Sequence, residues 1–599
     1  MSHTFHIPVL GLAFSIDTPV KVAHYGISSV ISIVDDILLE RMRHFHSENL
    51  GENFIAISDR EPDFRAKRIC AYLNLVRRIV AKKISELRMS KFEPGSEICK
   101  YFEMLPVNSP LKARYLEMLQ ANDEQIKLQN QEELRDEMVS GAIDVNIMAK
   151  VDKLNYSKDG EVMNEVSSDA LAALRGFATS DLNASVVLSA GMNPRLYSYL
   201  EEFEDFYPCT DGKLMKRIIL KVSDFRSAFI QAKFLAKKGL WVSEFRVESG
   251  LNCGGHAFAT DGFLLGPILE EFKTRRSEMH GVLTELYNNS LHTKGYALGE
   301  IPPQRITVQG GIGNASENEF LMDHYSLDGT GWGSPFLLVP EATNVDEDTL
   351  TKLTQAVPDD YYISGSSPLG VPFNNFRRSS AEQQRLERIR KGVPGSPCKK
   401  RYLVSNTEFT KQPICTASRE FQRLKLKELS AKGLPQSEYD QLFNQITEKV
   451  CLCEGLASTA YIRNHILKPR ESQAVAICPG PNLAYFTGVF TLREMVDHIY
   501  GIKDILGTSS RPHLFINELN LYVKYLQKDF ELHLYTLDEK KRKYFSKFHK
   551  ELHNGIAYYR NLVGRLLPKS ESGYEQFLAD LRRAEHLLDS IVKLKMAEG

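Results

Sequence analysis

Through the first 340 or so residues, short apolar runs bounded by Gly, Pro or Asn recur: PVLGLAFSI, ISSVISIV, AIDVNIMA, ASVVLSAG, RIILKVS, GLWVSEFRV, RITVQGG and LDGTGWGSPFLLV. Most are separated by stretches of helix length. Such alternation predicts a parallel sheet covered on both faces, and eight runs of this kind close an α/β fold, the (β/α)8 TIM barrel. The rhythm breaks between Asp35 and Val145. There, in DFRAKRICAYLNLVRRIVAKKISELR, Leu73, Val76, Val80, Ile84 and Leu87 recur every three or four residues, which predicts a helical insertion at about 35–142. Its Arg65, Lys67, Arg68, Arg77, Arg78, Lys82 and Lys83 read as a solvated helix face.

Past Ala342 the strand signals thin out and a second, mostly α-helical region begins. Three units follow from the pattern: a barrel at 1–350, a cysteine-containing domain at 351–505, and a helical bundle at 506–599 built from INELNLYVKYLQKDFELHLY and its successors. Charge adds little to this picture. Lys and Arg number 75 against 76 Asp and Glu, so no global basic field draws nucleic acid or anionic lipid. No run reaches the roughly 18 apolar residues of a membrane span, and the amino terminus lacks a secretory pattern, so a cytoplasmic protein is expected.

Candidate chemistry concentrates in three places. The first is RITVQGGIGNASENEFLMDHYSLDGTGWGSPFLLVPEAT, residues 305–343, read as strand, Gly-rich loop, helix, strand and small-residue turn. Gly310, Gly311 and Gly313 let backbone amides approach an anion, and a helix starting near Ser316 adds its positive end. Gly333 and Ser334 supply a second turn, and paired loops after the last two strands are the usual phosphate site of such barrels. VQGGIG and WGSPFL resemble, in order and spacing, the flavin-binding half of nitronate monooxygenases and the related flavin-dependent enoyl reductases. That resemblance implies flavin mononucleotide (FMN) and an oxidoreductase. It covers residues 5 to about 350.

The second place is GLWVSEFRVESGLNCGGHAFATDG, residues 239–262, a strand delivering a loop at its carboxyl end, where barrel active sites lie. Cys253, Gly254, Gly255 and His256 resemble the family's EAGGH segment, which gives His256 a proton-handling role beside the flavin. The chain departs from the family with Asn252 and Cys253 ahead of the glycines. Cys253 stays open as a proton donor, a cluster ligand or a buried small residue. Gly11, Leu12, Ala13, Phe14 and Ser15 resemble the family's first loop, while Asn146, Ser189 and Lys221 are candidates at other strand ends, Lys221 as a cation for reduced flavin.

The third is a group of cysteines. Nine in the chain are too few for a disulfide scaffold, and Cys398, Cys415, Cys451, Cys453 and Cys478 lie close together in sequence, which suits metal in a reducing compartment. Read as a strand, the C-x-C pair points its two thiols apart, so one of them ligates; Cys453, with Gly455 close behind, joins Cys398, Cys415 and Cys478 around a [4Fe–4S] cluster. The reading is an FMN-dependent oxidoreductase acting on a small molecule, with an iron–sulfur centre relaying electrons. Two other classes stay open: a dihydrouridine synthase-like RNA-modifying enzyme, in which basic helices would hold RNA, and a non-catalytic barrel scaffold. The substrate, the electron donor or acceptor and the oligomeric state are not set by the sequence.

Overall fold

The computed structural model describes residues 3–155, 161, 163–189, 191–257, 261–297, 299–507, 511–533, 538–566 and 571–596. Ala190 and Phe258–Thr260, which fall in two of the stretches singled out above, lie outside these. Eight parallel strands close a barrel in chain order: β1 Phe5–Ile7, β2 Ser28–Ser32, β3 Ile143–Met148, β4 Ala184–Ser189, β5 Lys216–Val222, β6 Val242–Glu248, β7 Arg305–Gln309 and β8 Gly329–Gly331. Closure is explicit in the register, with Phe5 and His6 of β1 opposite Thr330 and Gly331 of β8. Six of the eight apolar runs are strands. The first run is not, because β1 is FHI and PVLGLAFSI forms the loop leaving it; the last contributes only Gly329–Gly331 before a 3-10 turn at Ser334–Leu338.

Side chains on a strand alternate between the two faces, so each barrel strand sends one set inward. Val30, Val187 and Ile219 form a small apolar cluster of their own, with Val9 packed against it. Beside it runs a buried polar network. Arg246 donates to Glu244 at 2.8 Å and to Asp144 at 3.1 Å, and Thr307 donates to Glu244 at 2.7 Å. The remaining core is continuous, running from Phe5 through the cysteine-containing segment to Ile591.

The helical insertion is partly barrel. Its longest helix, Phe64–Met89, packs against Asp169–Ala178 in the outer layer. Much of the expected basic face is engaged there: Arg65 pairs with Asp169 at 2.8 Å, Arg68 pairs with Asp36 at 2.8 Å, and Lys83 donates to the Val20 carbonyl at 2.8 Å. Downstream of the barrel, Tyr361–Ser364 and Phe373–Phe376 form an antiparallel hairpin. The last three helices, Leu514–His533, Glu539–Leu566 and Glu571–Met596, pack on one another, and the first two also touch Leu265–Thr293. Among the described residues no helix is long and apolar enough to cross a membrane.

Candidate functional site

At the carboxyl end of the strands lies a cavity of about 120 Å³. Its floor and walls are apolar, from Val9, Leu12, Val30, Met148, Val187 and Leu456. One side is polar. Lys221 Nζ donates to Glu248 Oε2 at 2.7 Å, Gln309 Nε2 donates to Glu248 Oε1 at 2.7 Å, and His6 Nε2 lies 3.3 Å from Gln309 Oε1. Asn146 and Ser189 face the same space from β3 and β4.

The Cys253–His256 loop closes one wall and is itself held by later parts of the chain. Gly254 has φ +130, and a Cβ there would stand 2.3 Å from the Cys478 carbonyl oxygen, so only glycine permits the approach. The Gly255 amide donates to that carbonyl at 3.1 Å. On the other side His256 pairs with Phe373 of the hairpin, Asn374 N donates to the Gly255 carbonyl at 2.9 Å, and Asn374 Nδ2 donates to Asn252 Oδ1 at 2.6 Å. His256 Nε2 lies 2.7 Å from Ser367 Oγ. Burial, with the charges of Lys221 and Lys150, lowers its pKa to about 4, so the imidazole is neutral at pH 7. Cys253 is 4% exposed, and burial together with Glu248 pushes its thiol up, so it stays protonated.

Gly11, Asn146, Ser189, Lys221, Cys253, Gly255 and His256 thus line one cavity. Ala13 stands behind it, its amide donating to the Leu456 carbonyl at 3.2 Å. Gly310, Gly311, Gly313, Gly333 and Ser334 do not line it, because the chain fills their corner from within. Glu317, in the first turn of the helix Ala315–His324, accepts from Gly313 N at 2.9 Å, Leu514 N at 2.7 Å and Arg511 Nη1 at 2.6 Å. Burial works against its charge, yet Arg511 and these donors hold the carboxyl below its ordinary range. Arg511 also donates to the Gly311 carbonyl at 2.7 Å and covers Gly313 so closely that a Cβ there would be 2.2 Å from its Cζ. Ser334 Oγ bridges the Cys253 carbonyl at 3.1 Å and Gly480 N at 2.7 Å.

Among the cysteines, Cys398 and Cys415 lie on neighbouring stretches of backbone, Ser396 N donating to the Ala417 carbonyl at 3.0 Å and Arg419 N to the Ser396 carbonyl at 2.8 Å. Cys478 stands apart, its sulfur 3.9 Å from where a Gly254 Cβ would be. The C-x-C pair is not a strand: Cys451 caps the helix Leu452–Arg463 and Cys453 lies in its first turn, so both thiols belong to one helix start. Sequence reasoning also missed Glu248 and Gln309. Their signal was the charged alternation in SEFRVES and the polar one in RITVQ, which points Glu244, Arg246 and Glu248, and Thr307 and Gln309, into the barrel.

The chain is similar to FabK from Thermotoga maritima. Identity is 11%, with a TM-score of 0.35 over 84% of this chain and 92% of that one. It is also similar to the enoyl reductase domain of MlnA from Bacillus amyloliquefaciens, at 14% identity and a TM-score of 0.33 over 73% of this chain and 89% of that one. A third is nitroalkane oxidase from Streptomyces ansochromogenes, at 10% identity and a TM-score of 0.30 over 63% and 83%. No family model and no curated protein matches. The barrel stands on its own strand register.

Proposed function

We propose that this chain is a flavin-dependent oxidoreductase whose isoalloxazine ring lies in the barrel-mouth cavity, with a small molecule as substrate. The observation that carries the reading is the division of that cavity into apolar walls and one polar side. A flat ring with two apolar faces and a hydrogen-bonding edge matches it: Val9, Leu12 and Leu456 would meet the faces, and Asn146, Ser189, Lys221 and Gln309 the edge. The terminal phosphate of FMN does not fit at the two Gly-rich loops as they stand, since Glu317, Arg511 and Gly480 hold the Gly313 amide, the Gly311 carbonyl and the Ser334 hydroxyl.

When bound, flavin supplies hydride and single-electron chemistry. The chain's own residues bind, orient and move protons. Neutral His256 can accept a proton at neutral pH, the protonated Cys253 thiol can donate one, and Lys221 offers a cation to a small anion such as a nitronate, the substrate class if dioxygen is the acceptor. An iron–sulfur centre relaying electrons completes the reading.

The test is FMN titration of chromophore-free protein, with identification of any chromophore that denaturation releases from the purified chain. Mononucleotide release and saturable binding are expected, and Leu456→Trp, which fills the cavity from its wall, should abolish both. A colourless chain that takes up no FMN, or a Leu456→Trp protein that binds it unchanged, would overturn the proposal.

A further inference from the structure

The last two helices pack on each other, and beside their apolar seam they carry side chains that the barrel mouth does not use. On Glu539–Leu566 the buried residues Phe545, Phe548, Leu552, Ile556 and Tyr559 recur every three or four positions. On Glu571–Met596 Phe577, Leu581, Ala584, Leu588 and Ile591 do the same. Residues one position beyond such a seam fall along its flank, on one side of the helix. That places His549 and His553 on the flank of one helix, and Glu585 and Asp589 on the flank of the other. The pairings run in opposite directions along the two: Asp589 meets His549 and His553, and Glu585 meets His553 and Arg560.

Here the flanks converge. His549, His553 and Asp589 each put one potential ligand atom within 4.8 Å of the other two. His553 Nε2 hydrogen-bonds Asp589 Oδ1 at 2.9 Å, and His549 Nε2 lies 3.7 Å from the same oxygen. The imidazole centroids are 4.5 Å apart and the rings are inclined at 57°, so they lean together rather than stack. His553 Nδ1 lies 3.9 Å from Glu585 Oε1, and the other Glu585 oxygen accepts from Arg560 at 2.8 Å. A carboxylate behind the second ring nitrogen is what fixes the orientation of a metal-binding imidazole.

Distance and donor type select the ion. Tetrahedral zinc, with bonds of roughly 2.0–2.2 Å to nitrogen and oxygen, separates its ligand atoms by roughly 3.3–3.6 Å. The two separations from Asp589, 2.9 and 3.7 Å, straddle that range. A shift of about half an ångström in one side chain makes room for the ion. Calcium and magnesium take oxygen ligands, whereas two imidazoles and one carboxylate suit zinc. The side chains of His549, His553 and Asp589 are 22%, 31% and 44% exposed, so water reaches the set.

We propose that His549, His553 and Asp589 bind one zinc ion, with water in the fourth position, and that the ion clips these two helices together. The clip acts on a turn that touches the barrel. Gly262 has φ +92, and a Cβ there would stand 2.6 Å from the carbonyl oxygen of Phe548, the residue before His549. Holding this turn therefore also holds the segment downstream of the Cys253–His256 loop. The proposal is independent of the flavin reading.

The probe is zinc chloride, titrated calorimetrically into the reduced, chelator-treated full chain. One equivalent should bind. His549→Gln and His553→Gln should each weaken binding by more than about a hundredfold, beyond what loss of a ligand's supporting carboxylate costs. Zinc should raise the urea midpoint of the wild type and leave that of His553→Gln unchanged. Because the chain has nine cysteines, the ion's neighbours decide where it sits. Zinc-edge X-ray absorption on the unmutated protein, loaded with one equivalent, should show nitrogen and oxygen neighbours, imidazole among them, and no sulfur. No saturable binding, a sulfur shell, a wild-type midpoint unmoved by zinc, or variants that bind as tightly as the wild type would each overturn the assignment.

Discussion

At the scale of the residue, burial decides which groups at the barrel mouth carry protons. His256 is a base held neutral, because Lys221 and Lys150 add to the cost of charging a buried imidazole. A neutral imidazole has a lone pair free for a proton, and burial makes it a weak base at pH 7. His256→Ala should therefore slow turnover by about a hundredfold, the scale of a lost general base, while leaving bound chromophore in place. Because its pKa is about 4, no inflection from this group should appear in rate against pH between pH 5 and 8. Stopped-flow reduction of wild type and variant checks both; an unchanged rate in the variant would leave His256 with only a structural task. His256 was legible because a loop at the end of a barrel strand exposes its side chains to the mouth. Glu248 and Gln309 were not read, because polar residues within a strand look like an outer face until closure turns them inward.

Among the elements, the Gly-rich loop after β7 shows how one sequence signal admits two anions. Three glycines before a helix create an anion site, and here the anion is the chain's own Glu317. The clue is local: Asn314 caps the helix, its Oδ1 accepting Glu317 N at 2.9 Å, and N-A-S-E is a capping pattern as well as the end of a phosphate loop. Its partner Arg511 comes from a distant segment that no short-range pattern could supply. Arg511→Met should strand a buried carboxylate and destabilise the protein by about 3–5 kcal/mol, and pairing it with Glu317→Leu should recover most of that loss. Urea unfolding of the two single variants and the double variant measures the coupling, and additive effects would sink the idea. The C-x-C pair was misread for a related reason: it was taken as a strand, whereas Cys451 caps the helix Leu452–Arg463 and Cys453 lies in its first turn.

The whole molecule is joined by one core, so the three units read from the sequence are stretches of chain that share packing from Phe5 to Ile591. Composition marked the boundaries because it shifts there, but it could not show that the later segments roof the barrel. Joint packing also ties stability to pH. Burial lowers His3 and His256 to about 4 and His6 to about 3, against 6.5 when exposed. Between those values the unfolded chain binds more protons, so stability is full above about pH 6.5 and falls as pH drops towards 4. Glu518, raised to about 7 by burial, acts the other way, since its neutral form is favoured and its contribution weakens as pH rises from 4.5 to 7. Three histidines outweigh one carboxyl, and the urea midpoint should be lower at pH 5 than at pH 7; an equal or higher midpoint at pH 5 would refute this. The contact between Gly254 and Cys478 also sets an order of events during synthesis. A ribosome adding about 5–20 residues per second finishes β8 roughly seven to thirty seconds before Cys478 is made, so the barrel mouth stands unroofed on the nascent chain and is accessible to a large ligand before its roof is translated.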